Sequence, residues 1–254
     1  MVNSDQTWNA LFPRPIIYNI AFLKFAEKWR VKKFIYGASL VHDEWKFTKQ
    51  DEKIAIKLLR NFTGISVREK SSVKLIQQHL LLKAQFVLDP TFIINKKYYL
   101  DLIKNYNSYI MEKINNKIFI FAYILNDSNR IKNYLNLISN HLKLKIFYLT
   151  IYHMNQIKEF IFGIVNCKAV ITDSFHGTVF SIIFKKPFIS FKKIDNDNRF
   201  NDLAEIFDLK NRIFYINSTI PPISLLNQPL NINDTKLMLL KEESINYLKQ
   251  NLKT

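Results

Sequence analysis

Asp173, Ser174, His176 and Gly177 fall within five consecutive residues. A carboxylate, a hydroxyl and an imidazole held that close can orient one another, relay a proton or hold an anion, and histidine titrates in the range useful for acid–base work. The bland alternative is a structural histidine satisfied after a strand, and the residue types alone leave both open. What must position these groups is legible on either side. Ala169 to Thr172 are apolar and β-branched, which predicts a short buried strand. Residues 173–177 then turn a corner, and residues 178–185 follow as a helix with an almost wholly apolar body. Pro187 closes that helix, and residues 188–191 begin the next strand. A strand opening onto a helix N-terminus gathers unpaired backbone N–H groups and the positive end of the helix dipole at one spot, which suits an anion. In an open α/β sheet that spot lies at the carboxyl ends of the strands, where ligands bind.

Composition narrows the classes. The chain has 254 residues, of which 48% are hydrophobic, enough for one large domain or two ordinary ones. Only four glycines occur, at 37, 64, 163 and 177, so neither a Walker-type phosphate loop nor a dinucleotide fingerprint can be built. The 37 Lys and Arg against 21 Asp and Glu give a net charge of +16, which favours anionic partners. The lysines are scattered singly or in pairs, with no basic arm, so nucleic acid is not expected as a partner. The other source of the excess is a Lys/Asn/Ile-biased composition with lysine as the default surface residue. Cys167 is the one cysteine, which excludes a disulfide framework or a thiolate zinc site, and its apolar context beside a strand reads as core. No metal is expected. No stretch reaches the ~18 apolar residues of a spanning helix, and no charged region precedes an apolar run at the N-terminus. A cytoplasmic location is the expectation.

The hydrophobic pattern predicts strands at 35–39, 64–69 and 86–94, with helices over 48–62 and from Ser71 or Ser72 to Leu80. Arg68 follows the second strand, where its planar fork could take a carboxylate or phosphate, or pair with Glu69 or Asp89. Asp89 before Pro90 reads first as a turn-former. A polar joint at 104–108 and a helical stretch at 111–116 lead to strands at 117–124, 144–151, 169–172, 188–191 and 213–216. Helices at 128–142, 155–166, 178–185 and 199–207 alternate with them, and a last helix covers 234–252. Such alternation calls for a parallel, doubly wound sheet. The expected organisation is α/β, with an N-terminal domain over 1–108 and a C-terminal Rossmann-like domain over 109–254.

Asp173-Ser-Phe-His-Gly-Thr178, with Lys186-Pro187 downstream, resembles the C-terminal signature of the polysaccharide pyruvyl transferase family. Four shorter stretches are similar to family segments in the same order. They are Ser4-Asp-Gln-Thr-Trp-Asn9 with its Phe22-Leu-Lys-Phe25 follow-on, the strand ending at Ala38-Ser39, Ser66-Val-Arg-Glu69, and Leu88-Asp-Pro-Thr-Phe92. Asn3 stands where the family usually has glycine, and Ser174-Phe175 stand where many members have Arg-Leu, so one cation of the donor site must come from elsewhere, or activity is weakened.

The resemblance implies two Rossmann-like domains in a glycosyltransferase-B-like arrangement, the N-terminal one incomplete, with roughly the first third of that domain absent and activity impaired accordingly. It implies transfer of the pyruvyl ketal unit of phosphoenolpyruvate onto a sugar of a surface polysaccharide or its precursor, as in capsule and exopolysaccharide biosynthesis at the cell envelope. No cofactor is implied beyond phosphoenolpyruvate as donor substrate. His176 is then the proton donor or a phosphate ligand, and Asp173 the base or the group that orients His176. Arg68 clamps the donor, with Ser174 and Gly177 at the binding corner and Lys193 or Arg199 as further basic contacts. The acceptor is a sugar or a lipid-linked oligosaccharide, the latter bringing peripheral contact with an anionic membrane at its inner face. The competing readings are a truncated, non-catalytic fragment, a nucleotide-sugar glycosyltransferase of the B type, and, on charge alone, a nucleic-acid binder.

Overall fold

The computed structural model describes residues 6–114, 117–126, 128–149, 156–193 and 197–252. The Asn3 position, the end of the helical stretch at 111–116 and the joint between the expected strand 144–151 and helix 155–166 lie outside the described residues. The chain forms two compact units: Met1–Ile93 with Asp195–Asp202 and Asn233–Thr254, and Ile94–Ile194 with Leu203–Ile232.

In the first unit, strands β1 (Phe34–Ala38), β2 (Gly64–Val67) and β3 (Gln85–Phe86) form a parallel sheet in that order. Helices Lys49–Leu59 and Lys70–Leu80 make the crossovers. The first opens on a capping box, with Thr48 Oγ1 accepting from the Asp51 N–H at 3.2 Å and Asp51 Oδ2 from the Thr48 N–H at 2.8 Å. Its Ala55, Leu58 and Leu59 join Ile35, Ile76 and the fully buried Trp8 in one core. Gly37 takes φ 61° where the β1–β2 register slips between Ile35 and Ala38, a left-handed conformation that favours glycine.

Helix Asp234–Leu252 covers the other face of this sheet. Tyr247 donates to Ile35 O at 2.7 Å, Ser244 Oγ accepts from the Leu88 N–H at 2.9 Å, and Tyr247 packs with Phe34, Tyr36 and Val87. The division therefore differs from a single boundary at 108/109. The last helix belongs with the first sheet because its Ser and Tyr satisfy groups there. Residues 94–108 belong to the second unit, where Tyr99 stands edge-on to Phe180 at 4.9 Å. The expected strand at 86–94 also shortens to Gln85–Phe86. Asp89 Oδ1 accepts from the Thr91 N–H at 3.0 Å, and Pro90–Ile93 turn helical.

The second unit holds five parallel strands in the order β5-β4-β6-β7-β8: β4 (Phe119–Tyr123), β5 (Lys145–Leu149), β6 (Ala169–Thr172), β7 (Phe188–Lys192) and β8 (Ile213–Tyr215). Alternate residues serve opposite faces, as the pleat requires. Ile120, Ala122, Ile171, Ile189 and Phe191 pack under helix Asn129–Leu142. On the other face Phe121 meets helix Gln156–Asn166 so closely that a Cβ on Gly163 would lie 2.3 Å from its ring. The Arg212 guanidinium, unremarked in the sequence, is buried and donates to the carbonyls of Leu225 at 3.0 Å and Gln228 at 3.2 Å, tying the approach to β8 to the 223–227 turn. The mixed α/β, Rossmann-like parallel architecture expected from the alternation is thus present. The sheet order reverses between β4 and β6, and a ligand crevice belongs at that switch point.

Ser244→Ala leaves the Leu88 N–H buried without its acceptor. The expected cost is about 1–3 kcal/mol, read as a lowered urea midpoint for the first unit.

Candidate functional site

At the switch point the polypeptide is fastened by short side chains. Thr172, the last residue of β6, donates through Oγ1 to Tyr123 O at 2.7 Å and accepts from the Ser174 N–H at 3.0 Å. Asp173 reaches across to the loop after β4. Its Oδ1 accepts from the Leu125 N–H at 2.6 Å, and its Oδ2 from the Asn126 N–H at 2.9 Å and the Asn126 side-chain amide at 2.8 Å. Three donors on one carboxylate join the two strand ends that flank the crevice. That geometry makes Asp173 a clamp on the loop.

Ser174 is the N-cap of the next helix, with extended backbone (φ −91°, ψ 133°) and Oγ accepting from the Gly177 N–H at 3.3 Å. The helix spans Phe175–Ile183, beginning three residues before the expected Thr178. The corner is therefore only Asp173-Ser174, and His176 and Gly177 lie in the first helical turn. His176 is half-buried there, its ring edge-on to Phe175 at 5.4 Å. The leading N–H groups of this turn and the helix dipole favour an anion beside the imidazole.

Gly177 is required by space. A Cβ on it would lie 2.3 Å from Thr172 Oγ1 and 2.9 Å from Thr172 Cβ. The turn is held down on the neighbouring strand as well, with Thr178 Oγ1 2.7 Å from Ser190 Oγ of β7 and donating to Ser174 O at 3.1 Å. Thr172, Thr178, Ser190 and Asn126 escape a search for chemically active groups. Their only signal is a hydroxyl or amide standing inside or beside an apolar run.

The other expected residues fall into two places. Lys193 is exposed directly after β7, next to Lys192, whose ammonium lies 4.2 Å from the Tyr215 ring centroid. Arg68 and Arg199 belong to the first unit, at the carboxyl ends of β1, β2 and β3. The Arg68 side chain is buried, with Nη1 donating to Asp89 Oδ2 and Nε 3.7 Å from Glu69 Oε1. Arg199 makes a two-pronged pair with Asp197 at 2.8 and 2.5 Å. Both arginines surround Glu69, a fully buried carboxyl that the sequence suggests only as a partner of Arg68. Ser39 donates to it, and Ser72 does so at 3.1 Å. Burial pushes its pKa up to about 7, against the opposing pull of Arg68, the two hydroxyls and Arg199. Cys167 is core, in keeping with its apolar context. Burial raises its thiol to about 12 and it donates to Ile164 O at 3.3 Å.

A second feature of the β5-β4-β6-β7-β8 unit is a cavity of about 520 Å³ lined by Arg130, Asn133, Tyr134, Phe191, Asn217 and Thr219 among others, between helix Asn129–Leu142 and the chain after β8. Among the described residues no group of three or more His, Cys, Asp or Glu side chains is arranged to hold a metal ion.

The family model for polysaccharide pyruvyl transferase matches residues 2–192. The chain belongs to the polysaccharide pyruvyl transferase family. No curated protein matches it. The matched span takes in β1 to β7, hence Arg68, Asp173, Ser174, His176 and Gly177. It ends before Lys193 and Arg199, and helix Asp234–Leu252 lies outside it. Membership makes the protein a transferase with a polysaccharide as acceptor, and the turn carrying His176 falls within the matched span.

Gly177→Ala must push the first helical turn off β6. It is expected to cost about 1–3 kcal/mol and to lower the thermal midpoint, whereas Gly64→Ala, at the start of β2, meets first the far end of the Asn251 side chain, which can shift, and should cost less. For Glu69 the unfolded carboxyl loses its proton near 4.5, so between that pH and about 7 the folded form binds more protons and stability falls as pH rises. Glu69→Gln should flatten that slope, measured as unfolding midpoint against pH from 4.5 to 8.

Proposed function

We propose that the protein transfers the pyruvyl unit of phosphoenolpyruvate, as a ketal, to two hydroxyls of a sugar in a surface polysaccharide or its precursor. His176, set on the first turn of a capped helix at the β4/β6 crevice, is the observation that carries this reading, taken with family membership. The donor is a dianion or trianion, and the N–H groups at the start of helix Phe175–Ile183 are suited to its phosphate or carboxylate. His176 delivers a proton to the methylene carbon of the enol. The neighbouring carbon becomes oxocarbenium-like, one sugar hydroxyl adds to it and returns its proton to the imidazole, the bond from that carbon to the phosphate oxygen breaks, and the second hydroxyl closes the ketal, its proton leaving on inorganic phosphate.

In this proposal Asp173 is a positioning residue, because both its oxygens are engaged by the Leu125 and Asn126 donors. Ser174 acts as the cap and Gly177 through its close seating on β6. Lys193 supplies the cation that Ser174-Phe175 lack. Arg68 and Arg199, engaged by Asp89 and Asp197, organise the carboxyl ends of the first sheet. The glycosyltransferase-B-like pairing of two Rossmann-like domains belongs to the same proposal, supported by a parallel sheet with helices in each unit. So does a site of action in the cytoplasm at the inner face of an anionic membrane, where a lipid-linked acceptor would be presented. Among the described residues no helix is long and apolar enough to cross a membrane.

The test is phosphate release from phosphoenolpyruvate in the presence of a library of lipid-linked and free oligosaccharides. His176→Ala should lower turnover by about 10²–10⁴-fold while phosphoenolpyruvate still binds in calorimetry. Asp173→Asn should lower turnover and binding together. Wild-type turnover that His176→Ala leaves unchanged overturns the assignment.

A further inference from the structure

The segment leading into β1 buries one side and exposes another of unusual composition. Ile17, Ala21, Phe22 and Ala26 enter the core with Trp8, and the Trp8 and Phe22 rings meet at 5.2 Å. Between and after them, Ile16, Ile20, Phe25, Trp29 and Val31 stand exposed. Phe25 and Trp29 pack edge-to-face at 5.4 Å, so the two aromatics form one surface ledge. Lys24, Lys28, Arg30 and Lys32 alternate with these apolar residues and are also exposed. Glu27 is the only acid between positions 11 and 33, and its carboxylate is neutralised by Lys57 at 2.9 Å.

Exposed single hydrophobics need no explanation, but a cluster with aromatic members does. Indole and phenyl groups interleaved with uniformly positive side chains match the boundary of a bilayer that carries negative headgroups, where rings enter the acyl edge and cations meet phosphate. A second copy of this chain would bring the same positive charges to the contact and be repelled. We propose that residues 24–32 form a docking surface for an anionic lipid bilayer, entered by Phe25, Trp29 and Val31 and held by Lys24, Lys28, Arg30 and Lys32. This rests on the peripheral placement proposed above, and it is independent of the chemistry at His176.

The experiment is co-sedimentation of the full chain with phosphatidylglycerol/phosphatidylcholine vesicles and with pure phosphatidylcholine vesicles, alongside tryptophan emission with and without brominated lipid. Of the three tryptophans, Trp8 is fully buried and Trp45 partly so, which makes Trp29 the exposed reporter. The expected result is partition into the anionic vesicles only, with a blue shift and quenching by the bromines. Trp29→Ser should lower partition at least tenfold, and Lys28→Glu with Arg30→Glu should lower it at least as much. Circular dichroism and phosphoenolpyruvate calorimetry should be unchanged in all of them. Absence of partition at low salt, or partition indifferent to Trp29→Ser, overturns the proposal. So does self-association without vesicles that Trp29→Ser abolishes, which would assign the ledge to a second copy of the chain. Retained phosphoenolpyruvate binding with lost vesicle binding, or the reverse, tells failure of this proposal from failure of the catalytic one.

Discussion

The arrangement at the crevice depends on one close approach, the first turn of helix Phe175–Ile183 lying directly on the last residue of β6. There is no space for a methyl group between Gly177 and Thr172. Because the turn lies that low, Ser174 can cap it, Thr178 can reach Ser190 on the next strand, and His176 is carried on backbone fastened at both points. Asp173 completes the fastening from the side by taking three N–H donors of the β4 loop. The proposed proton donor must be held to within fractions of an ångström of its target to act efficiently, and hydrogen bonds to two strands fasten the turn that carries it.

The charged residues divide by what their environment leaves them able to do. Both oxygens of Asp173 are taken up by N–H donors of the β4 loop, which is why it is better understood as a clamp. The same reasoning applies to Arg68, whose buried fork faces Asp89 and Glu69, and to Arg199 on Asp197. Glu69 is the exception in kind. Its burial outweighs the opposing pull of Arg68, the two hydroxyls and Arg199, so its pKa is pushed up to about 7, and the carboxyl ends of the first sheet have a charge state that depends on pH.

Much of this architecture is legible in the amino-acid sequence. The apolar run Ala169–Thr172, the helix after it and Pro187 announce β6, helix and β7, and the alternation from residue 117 onward announces the parallel sheet. The helix begins three residues earlier than its pattern suggests because His-Gly resembles a turn, whereas Ser174, three before Gly177, is a capping serine. The apolar pattern of 86–94 overstates the strand because it continues past Asp89-Pro90, where local hydrogen bonding to Thr91 starts a helix instead. The place of the last helix is not legible at all. Its partners, Ile35 and Leu88, lie far away in sequence, and hydrophobic periodicity tells which face of a helix is buried without telling against what.

The most direct test of the catalytic assignment is to follow the imidazole itself. In protein labelled with ¹⁵N at its five histidines, the His176 resonances can be assigned by comparison with His176→Gln and watched while phosphoenolpyruvate is added. A donor bound at the start of helix Phe175–Ile183 predicts that they shift saturably, with the midpoint found by calorimetry, and that inorganic phosphate shifts them less. Saturable binding of phosphoenolpyruvate with the His176 resonances unmoved would contradict it, because the donor would then occupy some other part of the molecule.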